Sequence, residues 1–169
     1  MPTRCLLLLL AAVLGACTNA PPAAPDATTL IVVRHAEKAM DQSRDPELTA
    51  GGEQRAARLA GLLAGEPLEA AYSTDFQRTR RTAQPAADAH GLDVAIYDAE
   101  QPAAEFAANL KQRHPGESVL VVGHSNTVPD IVAALCACHV APIDESQYDN
   151  LYRVRIQPGA RPVLTHERY

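Results

Sequence analysis

Short runs of β-branched and aliphatic residues alternate with helical segments along this chain of 169 residues, and that alternation constrains its fold more than any other feature. The clearest runs are residues 30–33 (Leu-Ile-Val-Val) and 119–122 (Val-Leu-Val-Val). Such runs have no polar face, as is typical of strands buried on both sides of a parallel sheet. We therefore expect an α/β fold, a three-layer sandwich whose mainly parallel sheet is covered by helices on both faces.

Turn-forming residues separate the expected elements. The predicted strands are 30–33, 68–73, 94–97, 119–122, 151–156 and 163–166, with the last two as a candidate edge hairpin. The predicted helices are 50–64, 76–90, 102–113 and 128–137. Pro85 falls inside the second helix and is expected to kink or divide it.

The first residues have the pattern of an export signal. Residues 6–14 are an unbroken apolar run that is too short to span a bilayer, and Leu14-Gly15-Ala16-Cys17 resembles the bacterial lipobox. We predict a signal peptide at 1–16, a lipid-anchored tether rich in proline and alanine at 17–29, and one catalytic domain at 30–169. The expected location is the periplasmic side of the outer membrane. The alternative is ordinary secretion with Cys17 incidental.

Composition excludes several classes of partner. The net charge of −5 and the aromatic content of 4% argue against a nucleic-acid surface, and the predicted contact with a membrane is through the lipid anchor alone. Cys136 and Cys138 lie too close in sequence to face each other within a regular helix. A bridge between them where the helix ends and two free thiols therefore both remain possible.

Polar segments follow three predicted strands, at the point where each strand ends. They are residues 34–37 (Arg-His-Ala-Glu), 73–79 and 123–127 (Gly-His-Ser-Asn-Thr). Ligands of open α/β sheets bind beyond the carboxyl ends of the strands. If these three strands are neighbours, two histidines and two arginines face one pocket.

That set of side chains suits a phosphoryl group. Two guanidiniums can neutralise the phosphoryl oxygens through forked hydrogen bonds, so neither a metal nor another cofactor is required. A neutral imidazole can act as the nucleophile and form a phosphohistidine. The residues concerned are Arg34, His35, Arg78 and His124.

The combined pattern resembles the histidine phosphatase superfamily, also called the phosphoglycerate mutase-like family, over residues 29–150. Its marks are residues 34–37 for the family's Arg-His-Gly signature, with Ala36 in place of glycine, Ser73 followed by Arg78, and Gly123-His124. The resemblance implies that His35 is the phosphorylated nucleophile and that Arg34, Arg78 and His124 complete the phosphate pocket. Ser125 and Asn126 are candidates for its rim. Glu37 is expected to form a structural salt bridge.

Among the candidate catalytic residues, the acid that protonates the leaving group is the least well defined. The family often places a glutamate between the second arginine and the second histidine, and Asp98, Glu100 and Glu105 lie there. We favour Glu100, because it precedes the third helix near the end of a strand. Some small relatives lack such an acid, and the position can be empty here.

The predicted function is hydrolysis of a phosphomonoester, without a metal, through phosphorylated His35. The substrate can be a small molecule or a phosphorylated macromolecule. A neutral nucleophile predicts loss of activity as the pH falls through its pKa, about 6.5 if unperturbed. A mutase-like phosphotransferase is the first alternative, but the chain is short of the insertions that a mutase usually carries. The second is a phosphate-binding module without turnover. A third is an esterase using Ser125, Asp144 and His166, although Thr127 replaces the last glycine of the nucleophile elbow.

Overall fold

The computed structural model describes residues 27–41 and 43–169. The predicted signal peptide and Cys17 lie outside these residues. None of the helices in the described ranges has the length and hydropathy that a membrane span requires. The six strands are β1 (Thr28–Arg34), β2 (Leu68–Ser73), β3 (Val94–Ile96), β4 (Ser118–Gly123), β5 (Asn150–Ile156) and β6 (Val163–Arg168). The four helices are α1 (Ala50–Leu63), α2 (Gln77–Ala89), α3 (Ala103–Arg113) and α4 (Val128–Cys136).

The strands form one sheet in the order β3-β2-β4-β1-β5-β6. Strands β1 to β4 are parallel, whereas β5 runs antiparallel to β1 and forms an antiparallel pair with β6 at the edge. The predicted α/β class, the mainly parallel sheet and the edge hairpin are therefore confirmed. Strand β4 lies between β1 and β2, so the three strands that precede the polar segments are neighbours.

Apolar side chains cover both faces of the sheet. Leu30, Val32, Val119 and Val121 pack on one face with residues of α3 and α4, such as Leu110. On the other face, Ile31, Val33, Leu120 and Val122 pack with residues of α1 and α2, such as Leu59 and Ala86. Alternate residues of each central strand thus enter opposite layers, which is why residues 30–33 and 119–122 include no polar side chain.

Most element boundaries lie within two residues of the sequence prediction, and two differences have a clear physical reason. Strand β1 begins at Thr28, two residues before the apolar run. The Thr28 hydroxyl donates to the carbonyl of His114 at 2.9 Å, and Thr28 pairs with Ile156 of β5. Helix α2 continues through Pro85 instead of dividing there. Buried Ala83, Ala86 and Ala87 hold that turn against the sheet, and this packing compensates for the missing backbone hydrogen bond.

The cysteines at the end of α4 form a disulfide. Helix α4 ends at Cys136, and Ala137 adopts a left-handed conformation with φ of 51°. That turn brings Cys138 back beside Cys136, and the two are bridged. The bridge begins the loop of residues 137–149, which leads from α4 to β5 across the carboxyl end of the sheet.

Candidate active site

The ends of β1, β2 and β4 lie side by side. Arg34 is in register with Gly123, and Ser73 is in register with Val122. The backbone N–H of His35 donates to the carbonyl of Gly123 at 2.9 Å, which extends the pairing one residue beyond β1. This register brings the three polar segments together, as the sequence predicted, and the pocket sits where the strands end.

Two imidazoles meet in this pocket. The ring centroids of His35 and His124 are 5.4 Å apart, with their planes at 67°. His35 is 3% exposed, and its Nδ1 lies 2.7 Å from the carbonyl oxygen of Ala36. A carbonyl can only accept, so Nδ1 carries the proton and donates it. In the neutral ring, Nε2 is then left with a free lone pair, as a nucleophile requires.

A chain of hydroxyl groups orients His124. Its Nε2 lies 2.9 Å from the hydroxyl oxygen of Thr74, which lies 2.9 Å from that of Thr79. The Thr79 hydroxyl is within 2.9 Å of two backbone carbonyls and donates its one hydrogen there. Thr79 must therefore accept from Thr74, and Thr74 from Nε2–H of His124. Sequence reasoning missed Thr74, although it lies within the 73–79 segment.

Two guanidiniums accompany the histidines. Arg34 is 1% exposed, and Arg78 projects from the first turn of α2 with 14% of its side chain exposed. The carbon Cζ of Arg78 lies 4.3 Å from the ring centroid of Phe76, and its Nη1 lies 3.7 Å from the carboxylate of Asp45. The Nε atoms of Arg34 and Arg78 are both buried and lack a hydrogen-bond partner in the described residues. An anion in the pocket would supply acceptors for such donors.

The electrostatics of the pocket keep both imidazoles neutral. The pKa of His35 is lowered to about 3, mainly by burial and also by the charges of Arg34, His124 and Arg78, while the hydrogen bond to the Ala36 carbonyl raises it in part. Burial also lowers the pKa of His124 to about 4, and the same two arginines add to the shift. Burial lowers the pKa of Arg78 as well. The charge of Asp45 raises that pKa in part, and the charge of Arg34 lowers it. The two arginines thus give the pocket a positive potential that disfavours further protons.

These pKa shifts predict that acid weakens the fold before it protonates His35 in the folded chain. Between pH 6.5 and about 4, histidines of the unfolded chain take up protons that folded His35 and His124 do not. Each histidine then lowers the free energy of unfolding by up to about 1.4 kcal/mol per pH unit. Urea titrations at pH 7 and pH 5 measure the loss in the free energy of unfolding between these two pH values. The loss should be smaller in the His124→Gln variant than in wild type. An equal loss in both proteins would contradict the lowered pKa of His124.

The same values correct the simple expectation for activity. An unperturbed imidazole would lose its lone pair below about pH 6.5. In the folded chain, His35 remains unprotonated to about pH 3. We therefore expect kcat/KM to persist well below pH 6 and then to fall together with the folded fraction.

The predicted acid, Glu100, lies apart from these four side chains. It is exposed, and its backbone N–H donates to the carboxylate of Asp98 at 2.9 Å. Within the described residues, no hydrogen bond or ion pair joins Glu100 to the histidines or arginines. It lines an open cleft of about 450 Å³ with Asp75 and Phe76, whose ring packs edge-on against His124 with centroids 5.3 Å apart. Glu105 is exposed in the first turn of α3.

The rim residues differ from one another. Asn126 is exposed, and Ser125 donates its hydroxyl hydrogen to the carboxylate of Glu145. His166 instead lies at the sheet edge, where its Nε2 is 2.8 Å from the side-chain oxygen of Asn150. The residues of the esterase alternative are not brought together, because β1 and β5 lie between β4, which Ser125 follows, and β6, which carries His166. The expected salt bridge of Glu37 is present, with Arg55 at 2.6 Å.

The 137–149 loop contributes residues that the sequence did not indicate. Glu145 binds Arg34 with an Nη2–Oε2 distance of 2.7 Å, and the Tyr148 ring centroid lies 4.1 Å from Cζ of Arg34. Neither residue belongs to a motif or a periodic element, so only the path of the loop across the sheet reveals them. In the described part of the chain, no cluster of three or more His, Cys, Asp or Glu residues is arranged to hold a metal ion.

One family model matches part of this chain. Residues 30–100 match the model of the histidine phosphatase superfamily, branch 1. The chain is thus similar to that superfamily over less than half of its length. The matched range includes Arg34, His35 and Arg78, and it ends before His124. No curated protein sequence matches the chain.

Several solved structures share the fold of this chain and resemble it only weakly in sequence. The protein histidine phosphatase SixA, complexed with tungstate, has a TM-score of 0.66 and 21% identity, covering 83% of this chain and 96% of its own. A putative α-ribazole-5′-P phosphatase from Escherichia coli has a TM-score of 0.68 and 17% identity, covering 85% and 97%. A phosphoserine phosphatase mutant from Entamoeba histolytica, in complex with phosphoserine, has a TM-score of 0.64 and 18% identity, covering 82% and 95%. At these identities the likeness shows the fold.

Proposed function

We propose that the protein is a phosphomonoester hydrolase that works through a phosphohistidine on His35. The observation that carries the proposal is a buried imidazole with a proton on Nδ1 and a free lone pair on Nε2. It lies beside two arginines whose buried Nε atoms lack partners among residues 27–41 and 43–169. Such a pocket offers one nucleophile and several donors for a tetrahedral anion. The phosphatases among the structural neighbours support the same class of reaction.

The reaction has two steps. Nε2 of His35 attacks the phosphorus atom, the bond from phosphorus to the ester oxygen breaks, and the alcohol leaves with a proton. Water then attacks the phosphorus atom of the phosphohistidine and loses a proton to the solvent. The bond between phosphorus and Nε2 breaks, which releases inorganic phosphate and restores the lone pair of Nε2. Arg34 and Arg78 neutralise the equatorial oxygens in both steps. His124, whose ring is held by Thr74, completes the pocket beside His35, with the two ring centroids 5.4 Å apart. Glu100 stays our candidate for the proton donor, from the wall of the adjoining cleft.

Hydrolysis of an aryl phosphate in the presence of EDTA tests this function. Turnover that survives the chelator and leaves acid-labile phosphate on His35 would support it. Phosphate binding without turnover would favour the binding module, and phosphate returned to a second alcohol would favour the phosphotransferase. Cleavage of aryl esters that depends on Ser125 would favour the esterase, which the separation of Ser125 from His166 argues against.

We also propose that the protein is exported and lipidated at Cys17, and held at the periplasmic face of the outer membrane. The apolar run before Cys17 supports this, and so does the Cys136–Cys138 bridge, since disulfides persist in oxidising compartments. Labelling the full chain with radioactive palmitate in a Gram-negative host should mark the wild type and leave Cys17→Ser unlabelled. Label that persists in Cys17→Ser would contradict the assignment.

A further inference from the structure

A carboxylate already occupies part of the proposed phosphate pocket. Glu145 Oε2 accepts from Nη2 of Arg34 at 2.7 Å, and Oε1 accepts from the hydroxyl of Ser125. One group thus holds a guanidinium and a hydroxyl, which are the kinds of donor that bind phosphoryl oxygens. Its negative charge also lies close enough to His124 to raise the pKa of that imidazole, against the larger effect of burial.

The backbone of the loop is fixed to the same arginine independently of this carboxylate. Nη1 of Arg34 donates to the carbonyl oxygens of Asp144 at 3.1 Å, Glu145 at 2.9 Å and Gln147 at 3.1 Å. Tyr148 stacks on the guanidinium. Nη1 is therefore fully used by the loop, and Nη2 is the atom whose partner can change.

The Glu145 side chain, unlike the backbone that carries it, is 78% exposed. It can rotate into solvent without breaking any contact of the loop backbone. Ionic contacts of exposed carboxylates are weak, so an arriving dianion can replace this one. The hydrogen bond from Ser125 and the charge of Arg34 lower the pKa of Glu145, which keeps it ionised and able to compete at neutral pH.

We propose that Glu145 is an internal competitor for the phosphoryl group, occupying Nη2 of Arg34 and the Ser125 hydroxyl until substrate displaces it and returning to them when phosphate leaves. This inference rests on the proposed function of the pocket and adds a residue that sets its affinity. A competitor of this kind weakens the binding of substrate and product alike. It therefore raises KM and the inhibition constant of phosphate together, without contributing to the chemical step.

Calorimetric titration with inorganic phosphate at pH 7 tests the proposal. We expect Glu145→Gln to bind phosphate about two- to fivefold more tightly than wild type, as suits the loss of an ion pair with an exposed carboxylate. KM for an aryl phosphate should fall by a similar factor. Glu69→Gln is the matched control, because Glu69 is an exposed carboxylate on β2 near the opposite end of the strand and should leave both constants unchanged.

Glu145→Asp separates direct competition from a general effect of negative charge. Aspartate keeps the charge but is one methylene shorter, so it cannot reach Arg34 and Ser125 together from the same backbone position. Direct competition predicts that Glu145→Asp also binds phosphate more tightly than wild type. If Glu145→Asp behaves as wild type, or if neither variant binds more tightly, the proposal is wrong.

The same titrations separate this inference from the function on which it depends. Phosphate binding that is weakened by Arg78→Gln but unchanged by Glu145→Gln and Glu145→Asp would overturn the role of Glu145 alone. The assignment of the phosphate pocket would then stand. Absence of phosphate binding in wild type and in Glu145→Gln would overturn both. Weak binding in wild type that becomes measurable in Glu145→Gln and Glu145→Asp would support both.

Discussion

The His35→Ala variant should lose at least about 10⁴-fold of the turnover of an aryl phosphate, because alanine removes the atom that forms the covalent intermediate. The described pocket holds one other imidazole, that of His124, and its Nε2 is engaged by Thr74. No acid-labile phosphate should be trapped on the variant during turnover. The measurement is the steady-state rate together with phosphate retained on denatured protein.

A matched histidine controls for this result. His139 is exposed in the 137–149 loop, and His139→Ala should retain the wild-type rate. Thermal unfolding of His35→Ala shows whether the fold survives, because the substitution also removes the partner of the Ala36 carbonyl. A folded His35→Ala protein that keeps a tenth of the wild-type rate would rule out His35 as the nucleophile.

The second large effect is expected at Arg78. Its contact with Asp45 is long, at 3.7 Å, and its Nε has no partner in the described residues, so its charge is more available to a ligand than that of Arg34. We expect Arg78→Gln to lower kcat/KM by about 10²- to 10³-fold, the usual loss when one donor to a developing charge is removed. Arg78→Lys should recover only part, because an ammonium lacks the planar fork.

A neighbouring arginine on the same helix serves as the control. Arg80 is half-exposed and pairs with Asp75 at 3.0 Å, so Arg80→Gln should change kcat/KM by less than about threefold. Equal losses in Arg78→Gln and Arg80→Gln would indicate a general effect of charge on an anionic substrate. That outcome would remove Arg78 from the pocket.

Most of the fold could be predicted from local pattern. Residues 119–122 are aliphatic without interruption, and the structure buries them in β4, the strand between β1 and β2. Thr49 was expected to precede a helix, and its hydroxyl accepts from the N–H of Gly52 at 3.1 Å. The main differences are that α2 is not divided at Pro85 and that β1 begins at Thr28, where packing and distant hydrogen bonds outweigh local preference.

The candidate site was only partly predictable. The sequence places Arg34, His35 and His124 directly at strand ends, so parallel neighbours must bring them together. Glu100 satisfied the same positional rule, yet the structure gives it a place on the wall of the adjoining cleft, because β3 is the edge strand next to β2. Glu145 followed no rule, since loop residues have neither period nor motif.

The amino-acid sequence by itself determined the class of fold, because strands that are apolar on both faces belong in a parallel sheet covered by helices. It also determined the four side chains that meet beyond the strands, because parallel strands end at the same edge of the sheet. The tertiary structure decided the protonation of the two imidazoles and which donors of Arg34 are already occupied. Those properties depend on burial and on contacts between residues as far apart as Arg34 and Glu145. Local pattern carries no information about such distant contacts, so they emerge only when the loop after α4 crosses the sheet.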